Sequence, residues 1–195
     1  MRIISGEAKG RTLYAPSGQD TRPTSDKIRG SLFNIIGSRV QDARVLDLFA
    51  GTGALALEAL SRGGESAVIV DSSRAALQVI ERNAQSVLKE DFEYRARILQ
   101  LDYRSAIGAL EGRMFDLVFL DPPYRMTEAY GEALTLLYGA DMLAPGCLII
   151  MERQKNAKVP IPETFIVIDT RIYGDTAVDL VEVGAAQTDT SHNED

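Results

Sequence analysis

The sequence predicts an α/β fold: a Rossmann-like, doubly wound, mostly parallel seven-stranded sheet with a C-terminal antiparallel hairpin, preceded by a small N-terminal β-hairpin and helix extension. Three observations predict it. From residue 44 onward, short apolar runs alternate with helix-patterned segments, the order that builds parallel strands covered on both faces. A turn containing Gly51 and Gly53 follows the first of these runs and opens a helix. The last two apolar runs, 165–173 and 176–183, are joined through Gly174 and Asp175, which suits an antiparallel hairpin.

In chain order, residues 2–15 read as a hairpin, with "RIIS" and "RTLYA" as strands around "GEAKG". Residues 16–23 are loop. "TSDKIRGSLFNIIG" is patterned as a helix: Thr24 or Ser25 caps it, Asp26 suits its first turn, Ile28, Leu32, Ile35 and Ile36 make its apolar face, and Gly37 stops it. Parallel strands are expected at 44–49, 66–71, 94–102, 115–121 and 146–152. The helices between them end near Arg62 or cover 73–88, 103–110 and 127–138. This divides the chain into a basic extension (1–40), an α/β domain (41–184) and a polar tail (185–195) expected to be disordered.

Composition removes several chemistries. The one cysteine, Cys147, allows no intrachain disulfide and reads as buried filler; the one histidine, His192, lies in the polar tail. Cys/His metal sites and histidine-based catalysis are therefore set aside, and no metal is expected. No run approaches the roughly 20 apolar residues that span a bilayer, and the first ten residues carry no apolar signal segment. A cytoplasmic protein without a membrane role, monomeric, is the expectation. The net charge is −7, yet residues 1–40 carry +4 and the rest −11. The asymmetry is consistent with a basic arm on an acidic body and equally with chance scatter over a solvated surface. Arg2, Lys9, Arg11, Arg22, Lys27 and Arg29 are the candidate nucleic-acid contacts.

At the carboxyl ends of the strands lie the residues that carry chemistry. Gly51 and Gly53 allow a ligand to approach the backbone, and Asp71, ending the second strand, suits hydrogen bonds from ribose hydroxyls. With Ala56 the loop also satisfies the dinucleotide fingerprint, so a nicotinamide cofactor remains open. Asp47 tips the balance: a carboxylate just before the loop repels a pyrophosphate and attracts an ammonium. S-adenosylmethionine carries an ammonium and no phosphate. Asp102, at the end of the third strand, would accept from its adenine amine. Phe49, Ser72 and Tyr103 complete the candidate cofactor set. The bland alternatives are turn glycines and helix-capping roles for Asp71 and Asp102.

The fourth strand ends in "DPPY", Asp121 to Tyr124. Two prolines stiffen the loop that presents Asp121 and Tyr124. An exocyclic amine on a base is a poor nucleophile. Asp121 and the Pro122 carbonyl are placed to accept its two N–H groups more strongly as charge develops, while Tyr124 stacks on the base and Pro123 holds the turn.

"DLFAGTG" followed by "DPPY" resembles the class I S-adenosylmethionine-dependent amino-methyltransferases. "RIISGEAKGRTL", "TRPTSDKIRGSLFNII", "ERNA" (81–84) and "YGDT" (173–176) extend the likeness to the bacterial small-subunit (16S) ribosomal RNA guanine-N2 methyltransferase family, over nearly the whole chain to about residue 183. The resemblance implies methylation of one guanine 2-amino group on small-subunit ribosomal RNA or an assembling subunit. It also implies that Arg22, Pro23 and Thr24 lie beside cofactor and substrate. Rival readings are an amino-methyltransferase acting on DNA adenine or protein glutamine, and a nicotinamide-dependent oxidoreductase, which leaves Asp47 and "DPPY" unused.

Overall fold

The apolar runs that the sequence spaces between helices pair into one sheet. The computed structural model describes residues 1–15 and 26–184. Its strands are β1 (Arg44–Asp47), β2 (Ser66–Asp71), β3 (Ala96–Gln100), β4 (Phe115–Leu120), β5 (Leu143–Gln154), β6 (Phe165–Tyr173) and β7 (Thr176–Val183). They lie in the order β3-β2-β1-β4-β5-β7-β6. The first five run parallel, and β7 enters antiparallel between β5 and β6. The chain crosses from β3 back over β2 and β1 to reach β4, so β1 and β4 flank the switch point where doubly wound sheets bind ligands.

Side chains alternate between two cores. On one face Val45, Ile69, Leu117, Phe119 and Ile150 pack under α1 (Asp26–Ile36), α2 (Ala54–Ser61) and α3 (Arg74–Leu88). On the other, Leu46, Val68, Val118, Ile149 and Met151 pack under α5 (Tyr103–Ala109) and α6 (Glu128–Gly139). A one-turn helix, α4 (Phe92–Arg95), replaces the start of the third predicted strand. β1 and β4 end earlier than expected, which leaves Asp121 just beyond its strand, while β5 is longer at both ends. Cys147 is buried, as its apolar setting implies, and burial pushes its thiol up to about 12.

The N-terminal segment forms the expected hairpin in a short form: Ile3 N–H donates to Arg11 O (2.9 Å) and Leu13 N–H to Met1 O (3.0 Å). A single antiparallel bridge joins Arg2 and Thr12, and residues 1–15 form no extended strand. The segment is also fastened to α2. The Ile4 and Ser5 N–H groups donate to the buried Glu58 carboxylate (2.8 and 3.0 Å), and Glu7 N–H donates to Ser61 O (2.8 Å). Gly6 makes this approach possible: its φ is +84°, and a Cβ there would lie 1.7 Å from Ser61 O.

The buried face of α1 is also rotated from the expected one. Arg29, Leu32, Phe33 and Ile36 are buried, whereas Ile28 and Ile35 are half-buried. The physical reason is the Glu58 carboxylate below the helix. It draws the Arg29 guanidinium inward at 3.5 Å, and on the same face the Phe33 ring meets Phe119 with centroids 6.0 Å apart. The predicted caps Thr24 and Ser25, the 16–23 loop, Arg22, Pro23 and the 185–195 tail lie outside the described residues. Among the described residues no helix is long and apolar enough to cross a membrane.

Candidate active site

β1 and β4 are hydrogen-bonded neighbours, and the Leu48 N–H donates to Phe119 O (3.3 Å) just where both strands end. The glycine loop and the Asp121–Tyr124 turn therefore leave the sheet side by side. In the loop, Gly51 and Gly53 take φ of +57° and +74°, values that favour glycine, and Gly53 occupies the N-cap of α2. Gly51 N–H donates to Asp71 Oδ2 (2.8 Å) and Ser73 N–H to Asp71 Oδ1 (2.8 Å). Ser73, not Asp71, caps α3, accepting from Ala76 N–H. Asp71 is thus a clamp between the glycine loop and the end of β2.

Asp47 is 1% exposed, and neither of its carboxylate oxygens has a hydrogen-bond partner. Burial first, and Asp71 next, push its carboxyl up to about 7, opposed weakly by the nearby Phe49 and Ala56 backbone. With only the Phe49 and Ala56 backbone near it, this buried carboxyl is open to a donor that a ligand brings. Asp102 caps α5: Oδ1 accepts from Arg104 and Ser105 N–H (3.0 and 3.1 Å), and Oδ2 from Ser105 Oγ (2.7 Å). It is exposed and keeps lone pairs free of those bonds. Phe49 packs on the Tyr103 ring at 5.2 Å, and the Tyr103 hydroxyl donates to Glu132. Tyr103 is buried, so it offers the site backbone and ring support, while Ser72 is exposed.

In the second loop Pro122 is buried and Pro123 exposed. Met126 N–H donates to Pro123 O at 2.7 Å and closes the turn. Tyr124 is 40% exposed, so its ring is available to stack. Asp121 is held well above the usual carboxylate range by burial, then by Glu152 and Asp47. Glu152 was absent from the sequence reading. The signal for it was the one that marked Asp47, Asp71 and Asp121, an acid ending an apolar run ("CLIIME").

Of the basic candidates, Arg2, Lys9, Arg11 and Lys27 are exposed. Lys9 and Arg11 line a groove of about 510 Å³ with Tyr14 and Ser86. Arg29 is a correction: it is 0% exposed, its Nη2 donates to Asp26 Oδ1 (3.0 Å) and to the Arg2 carbonyl, and its Nε faces Glu58. It is a structural cation, because a buried carboxylate must be compensated within the fold. Asn83, from "ERNA", ties this region to the glycine loop. Its Nδ2 donates to Tyr14 O (3.0 Å) and Thr52 O (2.9 Å), and its Oδ1 accepts from Tyr14 N–H (2.8 Å).

The model of the family described as Conserved hypothetical protein 95 matches residues 1–182. The chain belongs to that family. It is 38% identical over 183 residues to the Bacillus subtilis protein named "Putative rRNA methyltransferase YlbH", covering 91% of this chain and 96% of that one. It is 33% identical to "Ribosomal RNA small subunit methyltransferase D" of Escherichia coli, covering 93% and 89%. Among solved structures, "Putative methyltransferase yhhF from Escherichia coli" superposes with a TM-score of 0.82 at 33% identity, covering 95% of this chain and 98% of that one. The seven-stranded Rossmann-like α/β fold is thus that of the methyltransferase relatives in this family.

The donor set suits a ligand with an ammonium and hydroxyls. Asp47 can take the ammonium, and Asp71 the hydroxyls. A pyrophosphate placed at the same loop would face the Asp47 and Asp71 carboxylates. S-adenosylmethionine fits these residues, and a dinucleotide does not.

Proposed function

We propose that this protein methylates small-subunit ribosomal RNA, transferring a methyl group from S-adenosylmethionine to the exocyclic 2-amino group of one guanine. The observation that carries the reading is the adjacency of two loops at the switch point. One lies over the orphaned Asp47 carboxylate, and the other presents Asp121 and Tyr124 on paired prolines. The relatives' names support ribosomal RNA as the substrate. The exposed Arg2, Lys9, Arg11 and Lys27 support a polyanion. Arg22 and Thr24 belong to the same substrate-facing proposal by resemblance.

S-adenosylmethionine supplies an electrophilic methyl group on a sulfonium. This chain's residues do the rest. Asp47, Gly51, Gly53, Asp71 and Asp102, with Phe49, Ser72 and Tyr103 around them, bind and orient the donor. Tyr124 stacks on the extruded base, a contact worth about 1–3 kcal/mol. Asp121 and the Pro122 carbonyl accept from the amine and bind it more strongly as it gains positive charge, which lowers the barrier. The stiff Pro-Pro turn keeps these acceptors in place, so that positioning supplies much of the rate.

A second reading has one observation behind it. The "Release factor glutamine methyltransferase" of Escherichia coli is 34% identical over 128 residues, covering 61% of this chain and 44% of that one. Both readings are tested by incubating the protein and S-adenosylmethionine with small-subunit RNA, small-subunit particles and a glutamine-bearing release-factor protein, then mapping the product by mass spectrometry. N2-methylguanosine at one position is expected. Label on adenine or on glutamine overturns the guanine reading.

A further inference from the structure

The groove beside the glycine loop holds an aromatic ring that the scheme above does not use. Its volume is about 510 Å³, and Lys9, Arg11, Thr12, Tyr14 and Ser86 are among the residues that line it. Lys9 and Arg11 are both exposed. Glu7 lines it as well, and the Glu7 carboxylate lies 3.8 Å from the Arg95 guanidinium. Tyr14 is 42% exposed. The Arg82 guanidinium of α3 stacks on its ring, 3.4 Å from the centroid. Tyr14 lines the groove and Arg82 does not, so the cation backs the ring and the rest of the ring stays open to a ligand. An open ring with a guanidinium behind it is a surface on which a nucleobase stacks.

The ring stands on a rigid mount. Asn83, fully buried, takes both backbone polar groups of Tyr14: its Oδ1 accepts from Tyr14 N–H (2.8 Å), and its Nδ2 donates to Tyr14 O (3.0 Å). The same Nδ2 donates to Thr52 O (2.9 Å), between Gly51 and Gly53. Leu13, the preceding residue, is buried in the core. Tyr14 is therefore one side chain away from the glycine loop, and a ligand that stacks on it orders little that is not already ordered.

We propose that Tyr14, backed by Arg82, is a stacking platform for an unpaired base that flanks the methylated nucleotide, with Lys9 and Arg11 holding the adjoining phosphates. The inference rests on the reading of the substrate as RNA. Two exposed cations beside a half-exposed ring match a sugar–phosphate chain whose bases are splayed out. An apolar peptide offers Lys9 and Arg11 nothing. The platform differs in role from Tyr124. Tyr124 meets the base that reacts, whereas the base on Tyr14 is unchanged by methyl transfer. A contact equal in the ground and transition states acts on KM and leaves kcat alone.

The test uses the full chain, S-adenosylmethionine and whichever of small-subunit RNA or small-subunit particles accepts the methyl group. Tyr14→Ala is expected to raise KM for that substrate roughly 5- to 150-fold, with kcat at saturation unchanged. Tyr14→Phe is expected to match the wild type, since stacking needs only the ring. The salt slope of RNA binding should be the same in Tyr14→Ala as in the wild type, because no charge is removed. Ultraviolet irradiation of the wild-type complex is expected to join Tyr14 to one nucleotide near the methylated position but not at it, with mass spectrometry of the joined peptide locating both ends. That readout needs no variant, so it stands even where Tyr14→Ala fails to fold. A lowered melting temperature in Tyr14→Ala with an unchanged KM would show that the ring only staples the hairpin to α3, and would overturn the platform. So would a loss in Tyr14→Phe equal to that in Tyr14→Ala, or crosslinks that join RNA to other peptides of this chain and never to Tyr14. A crosslink from Tyr14 to a protein of the particle overturns RNA as the occupant. Each of these results leaves the proposed function standing, whereas absence of methyl transfer to RNA overturns the proposed function and this inference together.

Discussion

Gly51 and Asp71, twenty residues apart in the chain, are joined by a 2.8 Å hydrogen bond from the glycine N–H to the carboxylate. The bond fixes the glycine loop against the end of β2. It also means that the acid proposed to hold ribose hydroxyls helps to shape the loop that receives the rest of the cofactor. Asp71→Ala is expected to weaken S-adenosylmethionine binding by about 1.5–3 kcal/mol, through loss of a charged acceptor. Titration calorimetry of the wild type and variant measures it. Tight NADH binding with none of S-adenosylmethionine would reverse the cofactor assignment.

Asp47 couples the site to stability. Its carboxyl titrates near 7 in the folded chain, against an ordinary value of 3.8. Between these values the folded state holds a proton that the unfolded chain has released. The associated stability is fully present below pH 3.8 and is lost as pH rises through 7. Asp47→Asn is expected to stabilise the cofactor-free protein at pH 8 by on the order of 1–3 kcal/mol and to weaken binding of the ammonium-bearing donor. Thermal unfolding against pH, with and without S-adenosylmethionine, separates the two effects.

The Asp121–Tyr124 turn is expected to divide its roles cleanly. Asp121→Ala should lower kcat by on the order of 10²–10³-fold while cofactor affinity changes little, by analogy with loss of an oxyanion-hole donor. Asp121→Asn should keep partial activity, because the amide oxygen still accepts. Tyr124→Phe should be nearly silent, and Tyr124→Ala should cost roughly 1 kcal/mol or more of base binding. Single-turnover methyl transfer is the measurement, and damage in Tyr124→Phe equal to that in Tyr124→Ala would refute the stacking role.

The pH profile follows from the same turn. Burial and Glu152 raise the Asp121 carboxyl, and it is the ionised form that accepts from the amine. Activity should therefore fall as pH drops through a value above the usual carboxylate range. Removing the neighbouring charge in Glu152→Gln should move that acid limb downward. A limb that does not shift would show that the two carboxyls act independently.

The basic residues should separate by burial. Lys9→Gln and Arg11→Gln, both at exposed sites, should weaken RNA binding and lower the salt slope by about one each, with little change in melting temperature. Arg29→Ala should leave the salt slope unchanged and destabilise the fold by on the order of 3 kcal/mol, because it breaks a buried pair with Glu58. RNA binding across a salt series and thermal melts distinguish the two groups.

Local sequence determined the alternation of elements, the two loops and the acids at the strand ends. Each of these is written in a short window: a periodicity, a pair of glycines, a pair of prolines, an acid closing an apolar run. Tertiary structure alone decided the rest. Arg29 reads as a surface cation on a charged helix, and it is buried because Glu58, on a different helix, needs a partner where water is excluded. The N-terminal residues read as a hairpin and pair as a short one, Ile3 with Arg11 and Leu13 with Met1, but no local pattern shows that the Glu58 carboxylate and Ser61 take the N–H groups of Ile4, Ser5 and Glu7. Asn83 holds Tyr14 to Thr52 across two segments that no local pattern connects. Glu152 gains meaning only from the register that sets it next to Asp121. Chain-local forces choose the elements, whereas the pairing of buried charges and backbone groups depends on which elements meet, and that is settled only when the sheet closes.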